Sequence, residues 1–161
     1  MTDKLIQVKK IKIFFITLAA LACIGSRCPF EPGGKNSIDI AYTITGGFAG
    51  ILEETHIDEN GYGELQTRQN IKKRYQLSNE ELNHIYMAFE TADFFRLKRE
   101  YKPLQPIADG FFYSITYTKN THSKTIHTET EAVMPARLQY LIETLHDTNL
   151  LIETKGTKVP P

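Results

Sequence analysis

The chain has 161 residues, 41% of them hydrophobic, and carries 19 basic and 19 acidic side chains. That length suits one domain with a modest core, and balanced charge with no basic stripe excludes a nucleic-acid surface, which needs clustered Lys and Arg against phosphate. The only cysteines, Cys23 and Cys28, lie near the start, which excludes a disulfide frame for the remainder.

Lys4, Lys9, Lys10 and Lys12 precede an apolar run from Ile13 to Ala22 that ends in Ala20-Leu21-Ala22 before Cys23. A basic segment, an apolar segment and small residues at a cut site form a secretory signal, expected over residues 1–22. The uncharged window between Lys12 and Arg27 is too short for the roughly 20 apolar residues of a membrane span. Two cleavages share the bond before Cys23: Ala20 and Ala22 suit an ordinary signal peptidase, and a Cys directly after the cut suits lipoprotein processing. The segment resembles a bacterial lipobox, which implies acyl chains on Cys23 as a membrane anchor, each buried methylene contributing about 0.8 kcal/mol. Ile24 after Cys23 resembles the pattern for outer-membrane delivery in a Gram-negative host. The expected location is thus the bacterial cell envelope, lipid-anchored, with a soluble periplasmic or secreted protein as the alternative. Loss of residues 1–22 would leave 15 basic and 18 acidic residues, a mildly acidic surface.

Residues 23–36, rich in Pro and Gly from Arg27 to Asn36, read as the anchor cysteine and a flexible tether. A single domain is expected over 37–153 and a disordered tail over 154–161. Ile38, Ile40, Tyr42 and Ile44 alternate with polar or small residues as in a half-buried strand. Gly46-Gly47-Phe48-Ala49-Gly50 interrupts the pattern before a second strand, Ile51 to Ile57. Asn60-Gly61 then signals a tight turn into a third, Tyr62 to about Gln69. Lys72-Lys73-Arg74 reads as a solvated connection.

In Leu77-Ser78-Asn79-Glu80-Glu81-Leu82, Ser78 and Glu81 form a capping box and Leu77 and Leu82 a hydrophobic staple, so a helix starts here. Leu82, Ile85, Tyr86 and Phe89 share one face of it. Lys98 to Gly110, with two prolines, reads as a long loop of the kind that often carries function. Phe111, Tyr113, Ile115 and Tyr117 mark a fourth strand and Lys124 to Glu129 a fifth. Pro135 opens a second helix with an apolar stripe of Leu138, Leu141, Ile142 and Leu145. The expected fold is α+β: an antiparallel sheet of about five strands in the order βββα-ββα, with two helices on one face.

No catalytic or cofactor motif emerges. His56, His84, His122, His127 and His146 are scattered without metal-ligand spacing. Asp58 to Gly61 lacks the later acidic positions of a calcium loop. Glu53 and Glu54, adjacent on a strand, project to opposite faces and cannot act as a carboxylate pair on one bond. No enzyme, metal or cofactor is expected.

The segment Tyr42 to Ile51 resembles the SGGFAG-type signature of emfourin-like proteins, small bacterial inhibitors of thermolysin- and protealysin-type metalloproteases, with Thr45 in place of the usual Ser. The resemblance extends in outline over about 110 residues and implies a protein partner of that class. An inhibitor needs a rigid loop that fills a cleft without being cut. The candidate contacts are Gly46, Gly47 and Phe48 on the glycine turn, and Leu104 and Ile107 on a loop that Pro103 and Pro106 restrict. A purely structural account of the motif has its glycines supplying unusual backbone angles and Phe48 covering the core. The alternative function is a structural or accessory envelope lipoprotein that inhibits nothing.

Overall fold

The computed structural model describes residues 37–160; the expected signal peptide, Cys23 and tether lie outside the described residues. The elements are β1 (Ile38–Gly46), β2 (Ile51–Ile57), β3 (Tyr62–Thr67), β4 (Lys72–Gln76), α1 (Asn79–Ala92), β5 (Glu100–Tyr101), β6 (Phe111–Lys119), β7 (His122–Glu129), α2 (Ala136–Lys155) and β8 (Thr157–Lys158). They form an α+β domain around one eight-stranded sheet in the order β5-β7-β6-β1-β2-β3-β4-β8. The sheet is larger than the five strands expected from alternation, and it is mixed, because β5 runs parallel to β7.

The three additional strands are short and lie at or next to the margins. Lys72-Lys73-Arg74 is no solvated connection but the start of β4, which pairs with β3. Each of its basic groups has a partner on the domain: Lys72 an ion pair with Glu64 (3.3 Å), Lys73 the Glu153 carbonyl, and Arg74 the face of Tyr62 at 4.4 Å. The expected tail likewise corrects to the last turn of α2 and then β8, which pairs with β4 at Lys73 and Arg74. Gly156 closes α2 through its N–H to the Ile152 carbonyl (2.8 Å) and turns the chain back to the sheet.

Alternation decides which face is buried. Ile40, Tyr42 and Ile44 of β1, Ile57 of β2, Ile115 and Tyr117 of β6, and Ile126 of β7 point to one side and are buried. Both helices cover that side, α1 through Ile85, Ala88 and Phe89, α2 through Leu138, Leu141 and Leu145. Aromatic contacts hold α1 to the sheet: the Phe89 and Tyr117 rings stack with centroids 4.2 Å apart, and Phe94, just after α1, meets Phe89 edge-on at 5.2 Å. The opposite face is open and polar, with Thr116 bonded to Thr125 (2.8 Å) and Thr118 to Ser123 (2.9 Å) across β6 and β7.

The capping box over Ser78 is formed as read: the Glu81 N–H donates to the Ser78 hydroxyl (3.2 Å), and the Ser78 N–H donates to the Glu81 carboxylate (2.8 Å). That backbone bond is the main reason the Glu81 carboxyl is held below the usual carboxylate range. Asp93 ends α1 in a left-handed conformation (φ 50°) and starts a 3-10 turn over Phe94–Arg96. Ser78→Ala is expected to lower the unfolding free energy by about 1 kcal/mol. A carboxyl whose folded pKa is depressed stabilises fully above its unfolded pKa and loses that contribution as pH falls toward the folded one. The stability gap between wild type and Glu81→Gln, read by urea unfolding, should therefore be widest near neutrality and close in acid.

Candidate functional site

Four connections meet at the end of the sheet where β1 finishes and β6 begins. They are the glycine turn 47–50, the β3–β4 turn 68–71, the β5–β6 loop 102–110 and the β7–α2 loop 130–135. Hydrogen bonds stitch them side by side. The Arg68 guanidinium donates to the carbonyls of Ala49 (3.1 Å) and Gly50 (2.8 Å). The Gly47 N–H donates to the Gly110 carbonyl (3.1 Å), and the Phe111 N–H to the Thr130 hydroxyl (2.8 Å). Finally the Val133 N–H reaches the Lys102 carbonyl (3.1 Å).

The glycines make this strip possible. Gly46 has φ +110°, and a Cβ there would stand 2.4 Å from the Gly110 carbonyl oxygen; at Gly47 (φ +69°) it would stand 2.7 Å from the Phe111 ring. Only residues without a side chain let the turn lie flat against Gly110 and Phe111.

Apolar side chains project from the strip into solvent. Phe48 is 95% exposed and Leu104 90%, with Val133 (64%) and Phe112 (53%) beside them on the neighbouring loop and strand. This overturns the expectation that Phe48 covers the core: the glycines turn the chain so tightly that its side chain leaves the sheet altogether. Ile107 is half-buried and packs over Gly110, with its Cβ 3.7 Å from where a Cβ of Gly110 would lie. It braces the loop, while Leu104 is its projecting apolar group. Gly46, Gly47, Phe48, Leu104 and Ile107 thus share one rim. Phe112 and Val133 join it unannounced, although outward alternation on β6 opposite buried Ile115 and Tyr117 is the signal that marks Phe112 as exposed.

Charge is sparse around this rim. Lys102 pairs with Glu100 at 2.8 Å, and that hydrogen bond, reinforced by the charge of Glu100, lifts the Lys102 pKa above the usual lysine range. Glu53 and Glu54 face opposite sides of β2 as their spacing predicts: Glu54 is exposed, and Glu53 turns toward α2, where its Oε2 accepts from the Asn149 amide (3.3 Å). Among the described residues no group of three or more His, Cys, Asp or Glu is placed to hold a metal ion. No helix of the described residues is long and apolar enough to cross a membrane.

The sequence model of a family described as a domain of unknown function, DUF6438, matches residues 54–149. That span runs from within β2 to within α2; it includes Leu104 and Ile107 and begins just after the glycine turn. No curated protein matches the chain.

Removing the rim's exposed side chains should leave the fold intact. Phe48→Ala and Leu104→Ala are each expected to change unfolding free energy by no more than about 0.5 kcal/mol, against about 3–5 kcal/mol for Phe89→Ala in the core. Gly46→Ala, in contrast, should destabilise measurably, since it adds a Cβ at a positive φ and against the Gly110 carbonyl. Thermal unfolding of the purified variants checks all four.

Proposed function

The chain belongs to the DUF6438 family of domains of unknown function, and for it we propose a non-catalytic binding module of the bacterial cell envelope whose contact surface is the loop rim. The observation that carries this reading is the near-complete exposure of Phe48 and Leu104 on two backbone-restricted loops that hydrogen-bond to each other. Large apolar side chains held out in water on rigid loops are costly for a free protein and suited to filling pockets on a partner. Glycine geometry on one loop and Pro103 and Pro106 on the other reduce the entropy lost on docking.

The specific form proposed is an emfourin-like inhibitor of a thermolysin-type zinc protease, anchored through lipid on Cys23. Phe48, carried on the glycine turn that resembles the emfourin signature, would enter an apolar pocket of the substrate cleft, with Leu104 beside it. Purified protein titrated against a thermolysin-type protease should inhibit at micromolar excess, and Phe48→Ala and Leu104→Ala should each weaken inhibition at least tenfold without loss of folding. Absence of inhibition removes that protease class as the target. It would favour the accessory lipoprotein reading, for which cross-linking in cells should capture a resident envelope protein through the same rim. Mass spectrometry of the mature N-terminus reads the anchor directly: an acylated Cys23 supports it, and an unmodified one points to a soluble periplasmic or secreted protein.

A further inference from the structure

Between the rim end of the sheet and the middle of α2 lies a pocket of about 130 Å³ lined by Ile44, Ile51, Glu53, Phe111, Tyr113 and His146. It adjoins the rim, because the Phe111 ring that forms part of its wall lies directly beneath Gly47. Cofactors and drug-sized ligands occupy clefts of about 300–1,000 Å³, so this volume fits a single side chain.

Its chemistry is uneven. Ile44, Ile51, Phe111 and Tyr113 make up most of the lining, with Glu53, which is half-buried, and His146, which is exposed, as its charged or titratable members. Glu53 is fixed from behind: its Oε2 accepts from Asn149, and the Asn149 Oδ1 in turn accepts from the buried Thr55 hydroxyl (2.6 Å). Its Oε1 has no hydrogen-bond partner among the described residues. Tyr42 lies behind the wall, 1% exposed, its ring stacked on Tyr113 with centroids 6.5 Å apart, and its buried hydroxyl has no hydrogen-bond partner among the described residues. Burial, then Tyr113, then Glu53 push the Tyr42 pKa upward, so the hydroxyl keeps its proton in the field of two groups that line the pocket. The pocket therefore offers the Glu53 carboxylate as an acceptor, with a buried hydroxyl nearby that has no hydrogen-bond partner among the described residues.

We propose that this pocket receives a Lys or Arg side chain of the protein that docks on the rim, its aliphatic stem against Ile44, Ile51 and Phe111 and its cationic head on Glu53. The proposal rests on the rim being the contact surface and specifies the partner's chemistry there. Long basic side chains bury their stems on apolar surface and keep the head on a polar group. A carboxylate oriented by a neighbouring amide is a strong acceptor for such a head. An anion would be repelled by Glu53, and an apolar side chain would bury Oε1 without a partner.

The test uses the full chain and two probes that share a four-carbon stem, N-acetyl-lysine methylamide and N-acetyl-norleucine methylamide, followed by NMR at Ile51, Phe111, Tyr113 and His146. The lysine probe should shift these signals saturably, the norleucine probe should bind at least tenfold more weakly, and Glu53→Gln should lower lysine affinity at least tenfold. Equal binding of the two probes, no saturable shift, or unchanged lysine affinity in a folded Glu53→Gln protein would overturn the proposal. If that variant does not fold, the comparison of the two probes on wild type decides alone. The probes reach the pocket only, so their failure leaves the roles of Phe48 and Leu104 standing, and those are read by the protease titration.

Discussion

The domain depends on β1 being hydrogen-bonded along both sides. It pairs with β2 over one edge and β6 over the other, so Tyr42 stands between Thr55 and Ile115, and Ile40 between Ile57 and Tyr117. A slip of one residue would carry Ile40, Tyr42 and Ile44 to the open face and Asp39, Ala41 and Thr43 into the core. The register of the centre therefore sets the register of every strand outward from it. It also sets the place where β1 must end, since Gly46 pairs with Ile51 and Phe111 together and brings two loops from opposite sides of the strand into contact.

Much of this was legible in the chain. Period-two alternation marks β1, β2, β3, β6 and β7 because their inner faces are apolar and their outer faces polar, and the capping box marks α1 because its two reciprocal bonds are local. The margins were not legible. β4 reads as a polar run because it lies next to the margin, with Tyr75 half-buried against the core and basic groups that find partners only after folding. β5 and β8 are two residues each, too short to show a period, and exist only because a neighbouring strand presents free backbone groups. The rim was legible in parts: the glycine turn and the proline loop each stand out, but their junction at Gly47 and Gly110 is a tertiary contact. The Thr55–Asn149–Glu53 chain joins residues almost a hundred positions apart, beyond any local pattern.

The core and the proposed contact groups are made of different atoms. The core lies between the helices and the inner face of the sheet, while Phe48, Leu104 and Val133 stand exposed on loops joined by backbone hydrogen bonds. Such a division lets these exposed side chains change with little penalty to the fold. Glu53 stands at the boundary, where the inward-facing positions of β2 reach the rim end of the core and a polar group replaces an apolar one.

The margins of the sheet bear on how the protein meets its own copies. An open-faced sheet invites edge-to-edge pairing, and natural sheets blunt that tendency with short edge strands and lysines. Here one margin ends in β8, where Lys158 lies beside Lys73, and Val159 donates back to the Lys72 carbonyl (2.9 Å). A second copy approaching that margin meets a ladder two residues long amid like charge. The segment from Gly156 to Val159 thus covers the edge of β4: without it, the backbone groups that pair with Thr157, Lys158 and Val159 would be open to another strand.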